Sequence, residues 1–199
     1  MYKPKGAGHE APGFNPKGNK EDAIQAVSSA LEESVSRLDL EIKTNYSLPF
    51  DFKIDPVTHK PYDPNPKNDS CVVDVCIGKK VEDSDILIPR VCMEVRKEVI
   101  VTELASIAAK LNQVKQNYDF SRTGIFAFEA SNVDKDALRT SYLNSFDFVY
   151  ALGDFIESPD KLQHYLNEFV EEQKNVSERL LDILHKDGEI TFIRTNMVF

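Results

Sequence analysis

Hydrophobic residues recur at helical spacing in several stretches of the chain. The first stretch runs from about Asn19 to Leu40, where the apolar positions form one stripe along a helix. Asn19 precedes two acidic residues, Glu21 and Asp22, as expected of a residue that caps a helix N-terminus. Further helices are predicted over Thr102 to Tyr118, Asp134 to Leu143 and Pro159 to Leu184.

Other stretches are rich in β-branched residues and predict strands. Two of them are neighbours, at Ser70 to Gly78 and Ile86 to Arg96, and the polar KKVEDSD segment between them favours an antiparallel hairpin. Shorter strands are predicted for EIKTNY, TGIFAFEA, FDFVYAL and ITFIRT. Helices and strands that interleave in this order predict an α/β fold with a mixed central β-sheet flanked by helices.

The chain of 199 residues is long enough for one domain with a substantial core. Residues 1–18 contain three prolines and four glycines among scattered charges, which predicts a flexible N-terminal arm. The proline-rich stretch from Pro49 to Asn68 predicts a long loop without regular structure. Residues 19–199 are therefore expected to form a single domain.

Composition and charge narrow the classes of function. The formal net charge is −9, which argues against indiscriminate binding to phosphate backbones or anionic membranes but leaves room for a locally basic cleft. The apolar runs are too short to span a membrane, and the N-terminal sequence lacks the apolar core of a signal peptide, so a cytoplasmic protein is expected. Cys71, Cys76 and Cys92 lie within apolar runs and are expected to be small buried hydrophobes.

Two carboxylates interrupt the hairpin strands, Asp74 in the first and Glu94 in the second. Strand alternation predicts one face with Val72, Asp74 and Cys76, and another with Arg90, Cys92, Glu94 and Arg96. In a hairpin the two acids would converge, and they would repel each other unless a cation lay between them. Mg²⁺ is the ion that such sparse carboxylate sites commonly bind. The alternative is a buried ion-pair network of Asp74, Glu94 and Arg96 without a metal.

The hairpin also resembles a known active-site signature. It reads VVDVCIG and then PRVCMEVR, whose Glu lies about twenty residues after the Asp, and a helix follows. This is similar to the PD-(D/E)XK nuclease superfamily, whose core runs helix, strand, strand, strand, helix, strand; the resemblance covers about Ser70 to Glu129. It implies a restriction-endonuclease-like sandwich, with Asp74 and Glu94 as ligands of Mg²⁺ or Mn²⁺. The activity that it implies is metal-dependent endonuclease cleavage of DNA by phosphodiester hydrolysis.

Arg96 stands at the position of the family's catalytic lysine. An arginine supplies positive charge but stays protonated, so it does not act as a base. Three interpretations remain open: Arg96 works in place of the lysine, another lysine has taken the role, or the chain is an inactive nuclease-fold protein that binds nucleic acid or a protein partner. The candidate for a relocated lysine is Lys115, which projects about 20° from Leu104 on the apolar stripe of its helix.

Residues around this site are weaker candidates. The basic side chains that would contact DNA are those of the KGNK segment, Lys79, Lys80, Arg90, Lys97, Lys110, Lys115 and Arg122. The candidates for a supplementary carboxylate ligand are Glu32, Glu33, Glu41 and Glu129. The long amphipathic C-terminal helix would cover the sheet or join two copies as a homodimer, and a purely structural subunit built on it is a further alternative. HExxH, GxGxxG, Walker and GxSxG patterns do not occur, which disfavours zinc hydrolases, common nucleotide-binding proteins and serine hydrolases.

Overall fold

The computed structural model describes residues 19–50, 70–81, 85–97, 99–127, 145–151 and 159–187. These residues form a mixed α/β fold with one five-stranded sheet, in which the strands follow one another in chain order. The helices are α1 (Lys20–Arg37), α2 (Val101–Asn117) and α3 (Pro159–Asp187). The strands are β1 (Glu41–Pro49), β2 (Ser70–Lys80), β3 (Leu87–Arg96), β4 (Arg122–Ala127) and β5 (Phe148–Ala151).

Helix α1 begins where the sequence predicts. The Asn19 side chain accepts a hydrogen bond from the Asp22 amide at 2.9 Å, and the Asp22 carboxylate accepts one from the Asn19 amide, so the two form a capping box. The helix ends at Arg37, three residues before the predicted end, because Asp39 adopts a left-handed φ of 56° that turns the chain into β1.

The antiparallel hairpin of β2 and β3 is confirmed. Strand β1 adds antiparallel to the other edge of β2 and is longer than the predicted EIKTNY strand. Strands β3, β4 and β5 are parallel. Since parallel neighbours need a crossover, helix α2 runs between β3 and β4 and returns the chain to the same end of the sheet.

Hydrophobic side chains bury both faces of the sheet. On one face, Val75, Val91 and Met93 pack with the apolar stripe of α1 and with Phe169 and Val170 of α3. On the other, Ile125 and Ala127 pack with the buried stripe of α2. The three cysteines are buried, as expected. The hairpin thus lies between helices, so a polar side chain on its inner strands has to find partners within the protein.

Several predictions fall outside the described residues. They are the N-terminal arm of residues 1–18, most of the proline-rich loop, the Asp134 to Leu143 helix, Glu129 and the ITFIRT strand. None of the helices in the described part of the chain is both long enough and apolar enough to cross a membrane.

Candidate functional site

The candidate site forms where strands β2 and β3 separate. Their backbone pairing runs from Lys80 and Leu87 up to Val75 and Met93. One residue further along, a side chain replaces the backbone as the hydrogen-bond acceptor. Asp74 Oδ2 accepts a hydrogen bond from the Val95 amide at 2.8 Å. The side chain of Asp74 is thereby fixed at the end of the β2–β3 ladder.

The regular alternation of β2 is broken at this point. Val73 and Cys76, three residues apart, belong to the same hydrophobic cluster, whereas Val72 is 49% exposed. On the neighbouring strand β1, Asn45 has a left-handed φ of 47°. It lies between the two residues of β1 that pair with Val75 and Val73, and so beside Asp74. The prediction that Val72 shares a face with Asp74 and Cys76 is therefore wrong, because it assumed a strand without irregularities.

The structure brings Asp74, Glu94 and Arg96 together. The guanidinium of Arg96 donates from Nη1 to Asp74 Oδ2 at 2.9 Å and from Nη2 to Glu94 Oε2 at 2.8 Å. It also donates to the Val95 carbonyl at 2.8 Å. Glu94 is fully buried and Asp74 is 4% exposed, so the two acids converge within the protein on one cation.

Two lysines complete the set of contacts. The ammonium of Lys20, the first residue of α1, lies 2.7 Å from Asp74 Oδ1. The ammonium of Lys110, on α2, lies 2.6 Å from Glu94 Oε1, as an ion pair without hydrogen-bond angles. Since α1 and α2 pack on opposite faces of the sheet, the two lysines reach the acids from opposite sides. Every carboxylate oxygen of the pair contacts a side-chain cation.

Lys115 is not part of this cluster. Its ammonium lies 2.8 Å from Asp147 Oδ1, which the Arg122 guanidinium also contacts at 3.0 Å. Projection along the helix favours Lys115 because the method selects residues that face the sheet. The site, however, lies beyond the end of the β2–β3 ladder. The signal available in the sequence was the pair Glu103 and Lys110, which are two helical turns apart and so share one side of α2. Glu103 Oε2 lies 3.8 Å from Arg96 Nε.

The charges around Asp74 change its acidity. Burial by itself would raise the pKa of Asp74, but the hydrogen bonds from Lys20 and the Val95 amide outweigh it, aided by the charges of Lys20 and Arg96. The net effect is a pKa below the usual value for aspartate. The carboxylate of Asp74 is therefore ionised at neutral pH and available to bind cations.

This lowered pKa predicts a pH dependence of stability. The ionised Asp74 stabilises the folded state fully above the unfolded-state pKa of about 3.9, and this contribution is lost as the pH falls through the lower folded-state pKa. We expect the free energy of unfolding to drop between about pH 5 and pH 2 more steeply in the wild type than in Asp74→Asn. Urea denaturation over this pH range measures the two slopes. Asp39→Asn, at a side chain that is 91% exposed, serves as the control, and equal slopes for wild type and Asp74→Asn would refute the assignment.

A shallow depression of about 330 Å³ adjoins the cluster. It is lined by Arg96, Lys97, Ile100 and Glu103. Ile100 caps α2 without a side-chain hydrogen bond and is 49% exposed. The depression gives an approach from solvent to the guanidinium that bridges the two acids.

Other predicted candidates lie elsewhere. Lys79 pairs with Asp39, and Lys80 pairs with Glu41, at the opposite end of β2 from Asp74. Glu32 and Glu33 are exposed on α1. Arg90 is 2% exposed and stacks on the Phe120 ring at 5.4 Å, so the prediction that it contacts DNA is wrong. Burial lowers the pKa of its guanidinium, partly offset by Glu178.

The site offers two carboxylates as donors for a small, hard cation. Within the described ranges, no group of three or more His, Cys, Asp or Glu side chains is arranged to hold a metal ion. Mg²⁺, however, often binds through one or two carboxylates and keeps several water ligands. Asp74 and Glu94 provide two such carboxylates, but each of their oxygens contacts a side-chain cation, so a metal ion there would have to displace at least one of these cations.

Comparison of the chain with protein-family models and with curated proteins found no match.

Proposed function

We propose that this chain is a metal-dependent nuclease of the PD-(D/E)XK type that hydrolyses phosphodiester bonds in DNA. The observation that carries the proposal is the convergence of Asp74 and Glu94, with the ammonium of Lys110 2.6 Å from Glu94. The element order from α1 to β4 is also the helix, strand, strand, strand, helix, strand order of a restriction-endonuclease-like core.

In this proposal Asp74 and Glu94 hold Mg²⁺ or Mn²⁺, which when bound supplies charge stabilisation to the phosphate and acidifies a water molecule. Lys110 takes the place of the family's lysine, because its ammonium reaches the carboxylate pair from α2 and lies 2.6 Å from Glu94 Oε1. In the reaction a water oxygen bonds to phosphorus and its proton passes to solvent, while the bond to the leaving oxygen breaks and that oxygen keeps the electron pair and takes a proton from solvent.

Arg96 acts as a positioning residue. Its two nitrogens bind one oxygen from each acid, which fixes the separation and orientation of the carboxylates. Lys97 and Arg96 line the same depression beside one acid, Glu103, and the two cations would attract a phosphate to it in spite of the net charge of −9.

A second candidate is an inactive nuclease-fold protein that binds nucleic acid without cutting it. The observation that favours this candidate is that Arg96, Lys20 and Lys110 together contact every oxygen of the two carboxylates. A stable ion-pair cluster needs no metal, and its cations would still contact phosphates.

Cleavage assays with supercoiled plasmid and a short duplex, in Mg²⁺, Mn²⁺ or EDTA, test the proposal. We expect metal-dependent cleavage by the wild type and a rate about 100-fold lower or more in Asp74→Asn and Lys110→Met. Lys174→Met, at a lysine of α3 that is paired with Glu178, should cleave like the wild type. Circular dichroism establishes that each variant is folded.

The remaining outcomes separate the alternatives. Loss of cleavage in Lys115→Met but not in Lys110→Met would assign the lysine role to Lys115. Salt-dependent DNA binding without cleavage by the wild type would support the inactive, binding protein. Neither cleavage nor DNA binding would leave a buried ion-pair network as the explanation of the cluster.

A further inference from the structure

Lys20 differs from the other two cations of the cluster in how it is held. Its ammonium contacts one oxygen, Asp74 Oδ1, at 2.7 Å, and its side chain is 42% exposed. Arg96 contacts both acids and is 21% exposed, and Lys110 is 30% exposed against the fully buried Glu94. Of the three, Lys20 can therefore leave for solvent with the least rearrangement.

The position of Lys20 in α1 is not explained by the helix. As its first residue it lies at the positive end of the helix dipole, where acidic side chains such as Glu21 and Asp22 are favoured. The capping box of Asn19 and Asp22 fixes the start of α1 without help from Lys20. The partner that accounts for the placement of this ammonium is Asp74.

We infer that Lys20 holds the place of a divalent cation on Asp74 and is exchanged for it when the cation binds. This inference rests on the proposed function, since it assumes that Asp74 and Glu94 bind the cation. Two positive ions cannot share Asp74 Oδ1 without repulsion, so Lys20 lowers the affinity of the site for the metal. In the metal-free protein it neutralises Asp74, and once displaced it is an exposed cation beside the site that can contact phosphate. Of the three cations that contact the acids, Lys20 is thus the one that gives way to the metal.

Calorimetric titration of the whole chain with Mn²⁺ tests this exchange without any assay of activity. We expect Lys20→Met to bind Mn²⁺ on the order of tenfold more tightly than the wild type, because the competing charge is gone. Lys20→Arg keeps the charge and should bind like the wild type. Lys79→Met is the matched control, since Lys79 is 48% exposed and also pairs with one acid. Thermal melting with and without Mn²⁺ gives an independent readout of the same affinities.

Each result decides the inference. Tighter binding confined to Lys20→Met supports it. Equal or weaker binding by Lys20→Met overturns it, and so does an equal gain in Lys79→Met, which would reveal only an effect of net charge. If wild type binds Mn²⁺ and Lys20→Met binds it equally, the exchange fails while the proposed metal site stands. If neither protein binds Mn²⁺, both the exchange and the proposed function are wrong.

Discussion

Replacing Glu94 with glutamine should lower the free energy of unfolding by about 3–5 kcal/mol, the usual result when one partner of a buried ion pair is removed. Glu94 is fully buried and contacts Arg96 Nη2 at 2.8 Å and Lys110 Nζ at 2.6 Å. The neutral amide keeps the shape of the side chain but leaves two cations without its charge. Urea denaturation at neutral pH measures the loss.

Two further variants make this prediction specific. Glu103→Gln removes a carboxylate that is 49% exposed and 3.8 Å from Arg96, and it should change stability by less than about 1 kcal/mol. The double variant Lys110→Met with Glu94→Gln should lose less stability than the sum of the losses in the two single variants, because it no longer contains a Lys110 charge without its partner. A Glu94→Gln protein as stable as the wild type would show that Glu94 is not held by its ion pairs.

The effect of Glu94→Gln on metal binding is separate from its effect on stability. If Glu94 is both a structural anion and a metal ligand, the folded variant should show no rise in melting temperature with Mn²⁺. A variant that is destabilised but still responds to Mn²⁺ like the wild type would leave Glu94 as a structural residue only. The two measurements on one variant therefore distinguish the ion-pair network from the metal site.

Local sequence determines the hairpin and its acids. Ser70 to Gly78 and Ile86 to Arg96 are mostly apolar segments, and a carboxylate within such a segment must find a partner once the strand is buried. Their pairing needs only a short connection, so the hairpin can be predicted from neighbouring segments, whereas the alignment of Asp74 with Glu94 depends on an irregularity of β3. The cap at Asn19 is likewise encoded within four residues.

The lysines of the cluster depend on packing that local patterns do not encode. Lys20 is 54 residues from Asp74 in the chain, and Lys110 reaches Glu94 from the opposite face of the sheet. Helical periodicity identifies the apolar side of α2, but it does not identify the polar residue of α2 that lies beside the end of the β2–β3 ladder. The break in alternation at Asp74 also coincides with the left-handed conformation of Asn45 on the neighbouring strand β1. The site is thus set by tertiary contacts around a hairpin that is set by sequence.

An irregularity in the hairpin explains why Asp74 lies opposite Glu94. Gly78 pairs with Pro89, but the next pair is Ile77 with Val91, so β3 contains one extra residue, Arg90. Beyond this bulge the last backbone pair is Val75 with Met93. The next pair in the same register would be Asp74 with Glu94. Without the extra residue Asp74 would lie opposite Met93, and the carboxylates would be out of register. The bulge therefore aligns the two acids.

Gly78 makes this bulge sterically possible, and Gly78→Ala should destabilise the protein by about 3 kcal/mol, at the upper end of the usual cost of overpacking. A Cβ at this position would lie 2.4 Å from the Ile88 carbonyl oxygen and 2.9 Å from its carbon, both backbone atoms that cannot rotate away. Strands β2 and β3 would have to separate there, which weakens the register that aligns Asp74 and Glu94. Urea denaturation measures the loss, with Lys79→Ala as the control because its neighbouring side chain is exposed. If Gly78→Ala unfolds at the same urea concentration as Lys79→Ala, the close approach at Gly78 is not what holds the bulge, and the alignment of the acids must come from the contacts of Arg96 instead.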